Sequence, residues 1–409
     1  MIQVKQKEKQ IAIAKTGIVE IIHKCLIAVF VFCAVLFPQD LANIKILSLG
    51  LLLIFAVWYV FSEKKSNLDL VIVIFGLGVT SVNIALSVIV TQDIYGSISI
   101  GYPGYVLLVW FIIKRYGTFF KRIFFAALKL ICLMIVLFAA LDLTNFLQLT
   151  ANPIAMWFHN SGNAMIGYGT SITGIILFFK TTPLLLLLQN DYLKNGKYFR
   201  GFVVCIAMIL SGTRANMLVS VFLIFAHFIF AEKNKNAKRI FYIIAVVVVL
   251  LVARRVFALV KELFDAKSGG DDVRSGHLRG ILAFWKQNPI SLFFGAGFSS
   301  EFFSYGTNSY LSNVELSYWN LCRQVGLIMF IILMAMYLYP LARLLKYKKK
   351  YLSEIFAYAG FLIIAYTNPF LYSTTGMIIL LYMYYLCGSE LKEREETTKS
   401  INVDMDGDK

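Results

Sequence analysis

An arginine embedded in apolar sequence needs an anion, and three positions frame that requirement. Arg214 stands between two apolar runs in LSGTRANMLVSVFLIF. Centring a guanidinium in hydrocarbon costs about 3 kcal/mol on insertion scales. Its planar fork of N–H donors suits phosphate oxygens, and the plain alternative is a side chain that snorkels to headgroups. Further on, residues 273–288 carry an amphipathic helical period, with Leu278, Ile281, Leu282 and Trp285 on one face and Asp271 or Asp272 as N-cap. Arg274 falls on that apolar face, where a lone charge needs a partner. Arg279 and Lys286 turn away from it, as an ordinary solvated face would, and Arg279 remains a secondary candidate. His277 adjoins the face as a satisfied polar residue, a donor to substrate, or a base. Glu315 opens VELSYWNLCRQVGLIMF, on roughly the helical face of Trp319, Cys322 and Gly326. The plain reading makes it a helix N-terminal glutamate favoured by the macrodipole by about 0.3–1 kcal/mol. Arg323 could pair with a carboxylate here. Asp142 is a further carboxylate, with a local hydrogen bond to Asn145 as its plain role. Two arginines and a carboxylate on one face point to a pyrophosphate site, Arg214 with Arg274, beside a general base, Glu315.

The elements that must position these residues are membrane spans. The chain has 409 residues, of which 59% are hydrophobic and only 15% charged, with a mean hydropathy of +0.73. A soluble protein of this length carries more polar surface, and β-barrel alternation is absent, so the expected class is an all-α polytopic integral membrane protein. About twelve transmembrane helices are expected, near 18–38, 42–61, 68–90, 97–113, 123–149, 167–188, 199–212, 215–230, 240–257, 321–343, 354–372 and 374–388. The formal charge of +16 is not a nucleic-acid signature, because its residues sit in short clusters between apolar runs. Those clusters include Lys64-Lys65, Lys114-Arg115, KNKNAKR and RLLKYKKK, while the loops near 39–43, 91–97, 150–166 and 371–374 hold neither Lys nor Arg. Basic loops mark the cytoplasmic side, which puts both termini there and the uncharged loops outside. No cleavable signal is evident in the basic, polar N-terminus. The long loop, residues 258–320 between spans nine and ten, is then periplasmic, and loops of that length are usually functional. The membrane domain is expected over 1–389, with 390–409 a disordered cytoplasmic tail. The six cysteines lie in or beside apolar runs without a CxxC pair, so neither a metal nor a cofactor is expected.

At these residues the sequence resembles the O-antigen polymerase and O-antigen ligase superfamily of bacterial envelope glycosyltransferases. Ser211-Gly212-Thr213-Arg214 is similar to that family's Ser-x-(Ser/Thr)-Arg turn. Arg274 followed by Asn288-Pro289 and Gly295-Ala296-Gly297 is similar to its Arg…Pro…Gly-x-Gly segment. Glu315, eleven residues before Gly326, stands where ligases usually carry a catalytic histidine, and glutamate there resembles the polymerase branch. The motif similarity covers about 200–330, and the rest of the chain is similar only in topology. The resemblance implies a metal-independent fold similar to the lipid-sugar-dependent (GT-C-like) glycosyltransferases, in the bacterial inner membrane. It implies undecaprenyl-pyrophosphate-linked oligosaccharides as substrates, with a chain-length regulator and a flippase as partners alongside membrane lipid. Two rivals stay open: a ligase moving finished glycan to a lipid A core, and a flippase or transporter that binds the same lipid-linked sugar without chemistry.

Overall fold

The computed structural model describes residues 2–39, 43–144, 148–168, 175–246 and 268–407. Most of them are helical. Among the described residues, six helical stretches are long and apolar enough to cross a membrane: Gly17–Leu36, Ile44–Ser62, Asn67–Thr91, Ile94–Leu143, Arg214–Ala231 and Ser317–Leu345. Their side chains are arranged for lipid on the outside. On Ile44–Ser62, Leu47, Ile54 and Trp58 are about two-thirds exposed, whereas Lys45 and Ser48 are buried. Lys45 donates from Nζ to the Pro38 carbonyl at 2.5 Å, so its charge is solvated inside the bundle. Apolar out and polar in is what a hydrocarbon solvent selects.

The expected spans map unevenly onto these helices. Spans four and five are joined in one helical run, Ile94–Leu143, which tightens to a 3₁₀ stretch at Tyr102–Val109 and kinks at Tyr116. Span seven is a helix of thirteen residues, Tyr198–Leu210. Of the last two expected spans, 354–372 starts in helix Lys348–Ala365 and runs past its end into turns, and 374–388 lies within helix Thr374–Gly407, which continues through the acidic segment after Glu390. Residues 235–246 are helical, and the remainder of span nine, with the first part of the long loop, lies outside the described residues.

Span six is not a membrane-long helix. Strand Ala164–Tyr168 pairs antiparallel with Ile175–Phe179, and helix Leu185–Lys194 follows a 3₁₀ turn at Thr182–Leu184. Pro183 lacks a backbone N–H and blocks a helix from running through. The β-branched Ile175 and Ile176 suit a strand, and Thr181, fully buried, donates to the Val35 carbonyl at 2.6 Å. Hydropathy alone could not separate this from a span, because the run is apolar in either arrangement. A second two-stranded antiparallel ribbon pairs Phe302–Ser304 with Ser309–Leu311, so the helical class holds with two small hairpins added.

The second hairpin belongs to the long loop, and glycine contacts fix its position. The loop helix spans Ser268–Gln287. A Cβ on Gly276 would lie 2.3 Å from the Gly306 nitrogen, and one on Gly280 would lie 2.4 Å from the Phe303 carbonyl. Two glycines four residues apart therefore let the hairpin backbone sit directly on the helix. Next comes the short helix Pro289–Phe294, ended by Gly295 at φ 86°. Its chain then docks against helix Ser317–Leu345, which is interrupted at Gly326, φ 80° and ψ 161°. At that break Ala296 N donates to the Arg323 carbonyl at 3.0 Å and Gly297 N to the Gln324 carbonyl at 2.9 Å, taking up carbonyls a helix ladder has lost. Phe298 N donates to Ser87 Oγ at 2.6 Å, which anchors the loop to the Asn67–Thr91 span. A Cβ at Gly326 would meet the Gly295 nitrogen and the Phe293 carbonyl at 2.4 Å. Gly326→Ala is thus expected to destabilise the protein by about 3 kcal/mol through positive-φ strain and backbone clash. Gly50→Ala, where nothing lies within 4 Å, should leave the melting temperature of purified protein almost unchanged.

Candidate functional site

Four charged side chains meet where the loop helix crosses the N-terminal ends of two spans. Arg214 is the first residue of helix Arg214–Ala226, entered through a turn in which Gly212 adopts φ 72°. A cation at the positive end of a helix is disfavoured unless an anion meets it. That anion is Asp271: Arg214 Nη2 donates to Asp271 Oδ1 at 2.7 Å. The same oxygen accepts from Arg274 Nη1 at 3.2 Å. Arg274 then donates from Nη2 and Nε to Glu315 Oε2 at 2.8 and 3.1 Å. A continuous chain, Arg214–Asp271–Arg274–Glu315, results. Glu315 Oε1 makes no hydrogen bond among the described residues. Arg214 is the most enclosed member, with 13% of its side chain exposed, and Asp271 and Glu315 are open, at 56% and 51%.

Several sequence expectations are revised here. Neither Asp271 nor Asp272 is an N-cap, because the helix already runs from Ser268; Asp271 lies in its first turn and bridges the two arginines. Leu282 is 48% exposed rather than on the buried face, while Ile281 and Trp285 pack with Phe302, Val314 and Leu316. The departure follows from the hairpin sitting across Gly276 and Gly280, which turns the buried face away from Leu282. Glu315 is not on the helix it was expected to begin, since helix Ser317–Leu345 starts two residues later. Its carboxylate is held sideways by Arg274, Glu315 precedes the helix that carries Trp319 and Cys322, and Gly326 sits at a break in that helix. Arg279 and Lys286 are exposed, as their outward setting on the wheel implies.

Arg323 meets no carboxylate among the described residues. It is fully buried and donates to the Ser300 carbonyl at 3.0 Å, Ser300 Oγ at 2.7 Å, the Ser312 carbonyl at 2.8 Å and Asn320 Oδ1 at 3.1 Å. Its guanidinium also lies 4.7 Å from the Phe302 ring centroid. Carbonyl dipoles replace the counter-ion, and the arginine ties the loop to the bundle behind the charged chain. Asp142, near the end of its helix, accepts from the Leu149 N–H at 2.9 Å. No ion pair or hydrogen bond joins it to the charged chain among the described residues, and Asn145, its expected partner, lies outside them.

His277 is buried beneath the site, with Nδ1 2.6 Å from Ser304 Oγ, so it joins loop helix to hairpin. Burial lowers its pKa from the ordinary 6.5; the Arg274 charge acts in the same direction and Glu315 opposes it. The sign is then fixed: the neutral ring is the form the fold accepts. Its stabilisation is complete above 6.5 and is lost as pH falls below that value toward the lowered one. Thermal stability measured between pH 7.5 and 5.5 should fall on the acid side, and His277→Gln should flatten that slope. Asp271 titrates elsewhere. Its bond to Arg214, aided by the two arginine charges, holds its carboxyl below the usual carboxylate range, so its ion pairs persist through neutral pH.

Asp271 is the member that sequence reasoning missed. The available signal was Arg214 itself, a cation at a helix start with no acidic residue nearby on its own helix. Chemically, the arrangement offers two guanidinium groups converging on one anionic oxygen, with a carboxylate beside them that keeps one oxygen unbonded among the described residues. That geometry suits a multiply charged oxyanion. Comparison with known proteins finds no family model that matches the chain and no curated protein similar to it.

Proposed function

We propose that this protein is a surface polysaccharide polymerase, an O-antigen polymerase in the resemblance, that joins lipid-pyrophosphate-linked repeat units. The observation that carries the reading is the position of Asp271 Oδ1, within hydrogen-bond distance of both Arg214 and Arg274. A pyrophosphate oxygen arriving there would replace the carboxylate and engage both forks. A growing glycan on undecaprenyl pyrophosphate is the donor and a single lipid-linked repeat unit the acceptor. An acceptor hydroxyl attacks the donor's anomeric carbon, the bond to the pyrophosphate breaks, and the lipid pyrophosphate leaves with its charge met by the two arginines. Glu315 takes the hydroxyl proton through Oε1. Pyrophosphate that draws Arg274 toward itself would release Glu315 Oε2 from its guanidinium partner as the acceptor hydroxyl arrives. No metal is required in this scheme, since the guanidinium pair meets the leaving-group charge.

A ligase would need a core acceptor, and a transporter no bond-making group. A charged chain gathered at helix ends, with a carboxylate in it to take a proton, supports an enzyme over a transporter. The reading requires the site to face away from the cytoplasm. Reporters fused after Lys65, Lys197 and Lys350 are expected to read cytoplasmic, and one inserted in 267–272 periplasmic. A cytoplasmic signal from that insertion would remove the lipid-linked substrate from reach of the arginines.

A further inference from the structure

A second charged feature lies at the end carrying the basic loops. A cavity of about 900 Å³ opens between the end of helix Leu185–Lys194, the turn after helix Arg214–Ala226 and the start of helix Lys348–Ala365. Lys194, Lys233, Lys348, Lys349 and Lys350 line it. Lys194 pairs with Glu354 at 2.5 Å and Lys350 with Glu390 at 3.0 Å. Lys233, Lys348 and Lys349 have no ion pair among the described residues. The carboxylate in the wall, Glu232, is already engaged: it accepts from Tyr198 Oη at 2.7 Å and from the Asn234 N–H at 2.7 Å, and lies 3.2 Å from His227 Nε2. His227 is buried and faces Ser353 Oγ at 3.2 Å, so this wall is preorganised. Three lysines also open helix Lys348–Ala365, which has no acidic residue in its first turn and no side-chain cap. Cations at a positive helix end repel both the dipole and each other. An anion in the cavity relieves each of these costs at once.

We propose that this cavity binds a phosphate-bearing anion, and that its source is the headgroup of an anionic phospholipid in the adjoining leaflet. Phe230 and Leu352 line the same cavity, and Phe230 is 62% exposed beside the lysines. An apolar lip against a cationic pocket at a membrane end fits a lipid, whose chains lie on the lip while its phosphate enters the pocket. A free polyphosphate would use the lysines and leave the lip without a role.

The test uses the full-length protein in nanodiscs of equal phosphatidylcholine and phosphatidylglycerol, released and read by native mass spectrometry. Wild type is expected to retain phosphatidylglycerol over phosphatidylcholine by about ten-fold or more. The variant Lys233→Gln with Lys348→Gln and Lys349→Gln should lose that preference, and Arg239→Gln with Lys346→Gln, outside the cavity, should keep it. Lys349→Gln alone should reduce it and serves if the triple variant fails to elute as a single species. Retention unchanged in the triple variant overturns the site. A parallel arm offers inorganic pyrophosphate in phosphatidylcholine-only discs. Lysine-dependent retention of pyrophosphate with no phosphatidylglycerol preference overturns the lipid assignment.

Discussion

Arg274→Ala should abolish polymer while leaving normal amounts of protein in the membrane. Arg274 is the central link of the charged chain, holding Glu315 with two N–H groups and Asp271 with a third. In the proposed mechanism truncation removes one of the two groups set against the leaving pyrophosphate, and losses of such donors cost about 10²–10³-fold in rate. It also releases Glu315 from its orientation, so the loss should lie at the upper end of that range. Folding should survive, because more than a quarter of the side chain is exposed and its carboxylate partners are about half exposed and can be solvated by water. Arg214→Ala should act similarly through the other fork. Lysine at either position keeps the charge but offers no planar fork, so it should restore only part of the activity. Arg279→Ala, on the exposed side of the same helix, should be mild. Polymer amount on gels, set against protein detected in membranes, checks this set. Essential Arg279 with dispensable Arg274 would mean that the loop helix is turned the other way.

Glu315→Gln separates chemistry from binding. Glutamine keeps the size and can still accept from Arg274, but its amide does not take a proton, so turnover should fall about 10²–10⁴-fold with donor binding nearly intact. Glu315→Asp should fall between, because withdrawing the carboxylate by roughly an ångström costs about 10²-fold. A helix-capping role predicts little effect from either change, and Glu315 precedes the helix and caps nothing by hydrogen bond. A normal ladder from the Gln variant would remove the base assignment. His277 and Asp142 are placed poorly to replace it, since one is buried against Ser304 and the other is bonded to the Leu149 N–H, with no bond to the charged chain among the described residues.

What was legible in the sequence follows the physics of each signal. Arg214 stood out because a Gly-containing turn between apolar runs leaves an arginine few places to go, and the structure puts it at a helix start beside Asp271. Arg274 stood out because its helical period placed it on an apolar face. Asp271 reads as a cap in the sequence, since an acidic residue before a periodic run fits that role and nothing local shows that the helix begins earlier. A carboxylate is one partner the sequence allows Arg323, because charge seeks charge, whereas the fold solvates it with carbonyls from Ser300 and Ser312, residues that the docked loop brings close. Span six failed for a different reason. Hydropathy reports burial in an apolar medium without reporting period, and the strand at Ile175–Phe179 and the buried helix after Pro183 are as apolar as a span.

The most direct measurement gives purified full-length protein in lipid a single substrate, undecaprenyl-pyrophosphate-linked repeat units, with no core acceptor present. The account expects a ladder of lipid-linked chains from the wild type, released lipid pyrophosphate in proportion, and neither from Arg274→Ala. Repeat units that come through unextended, with wild-type protein that is folded and binds them, would contradict it and favour the transporter.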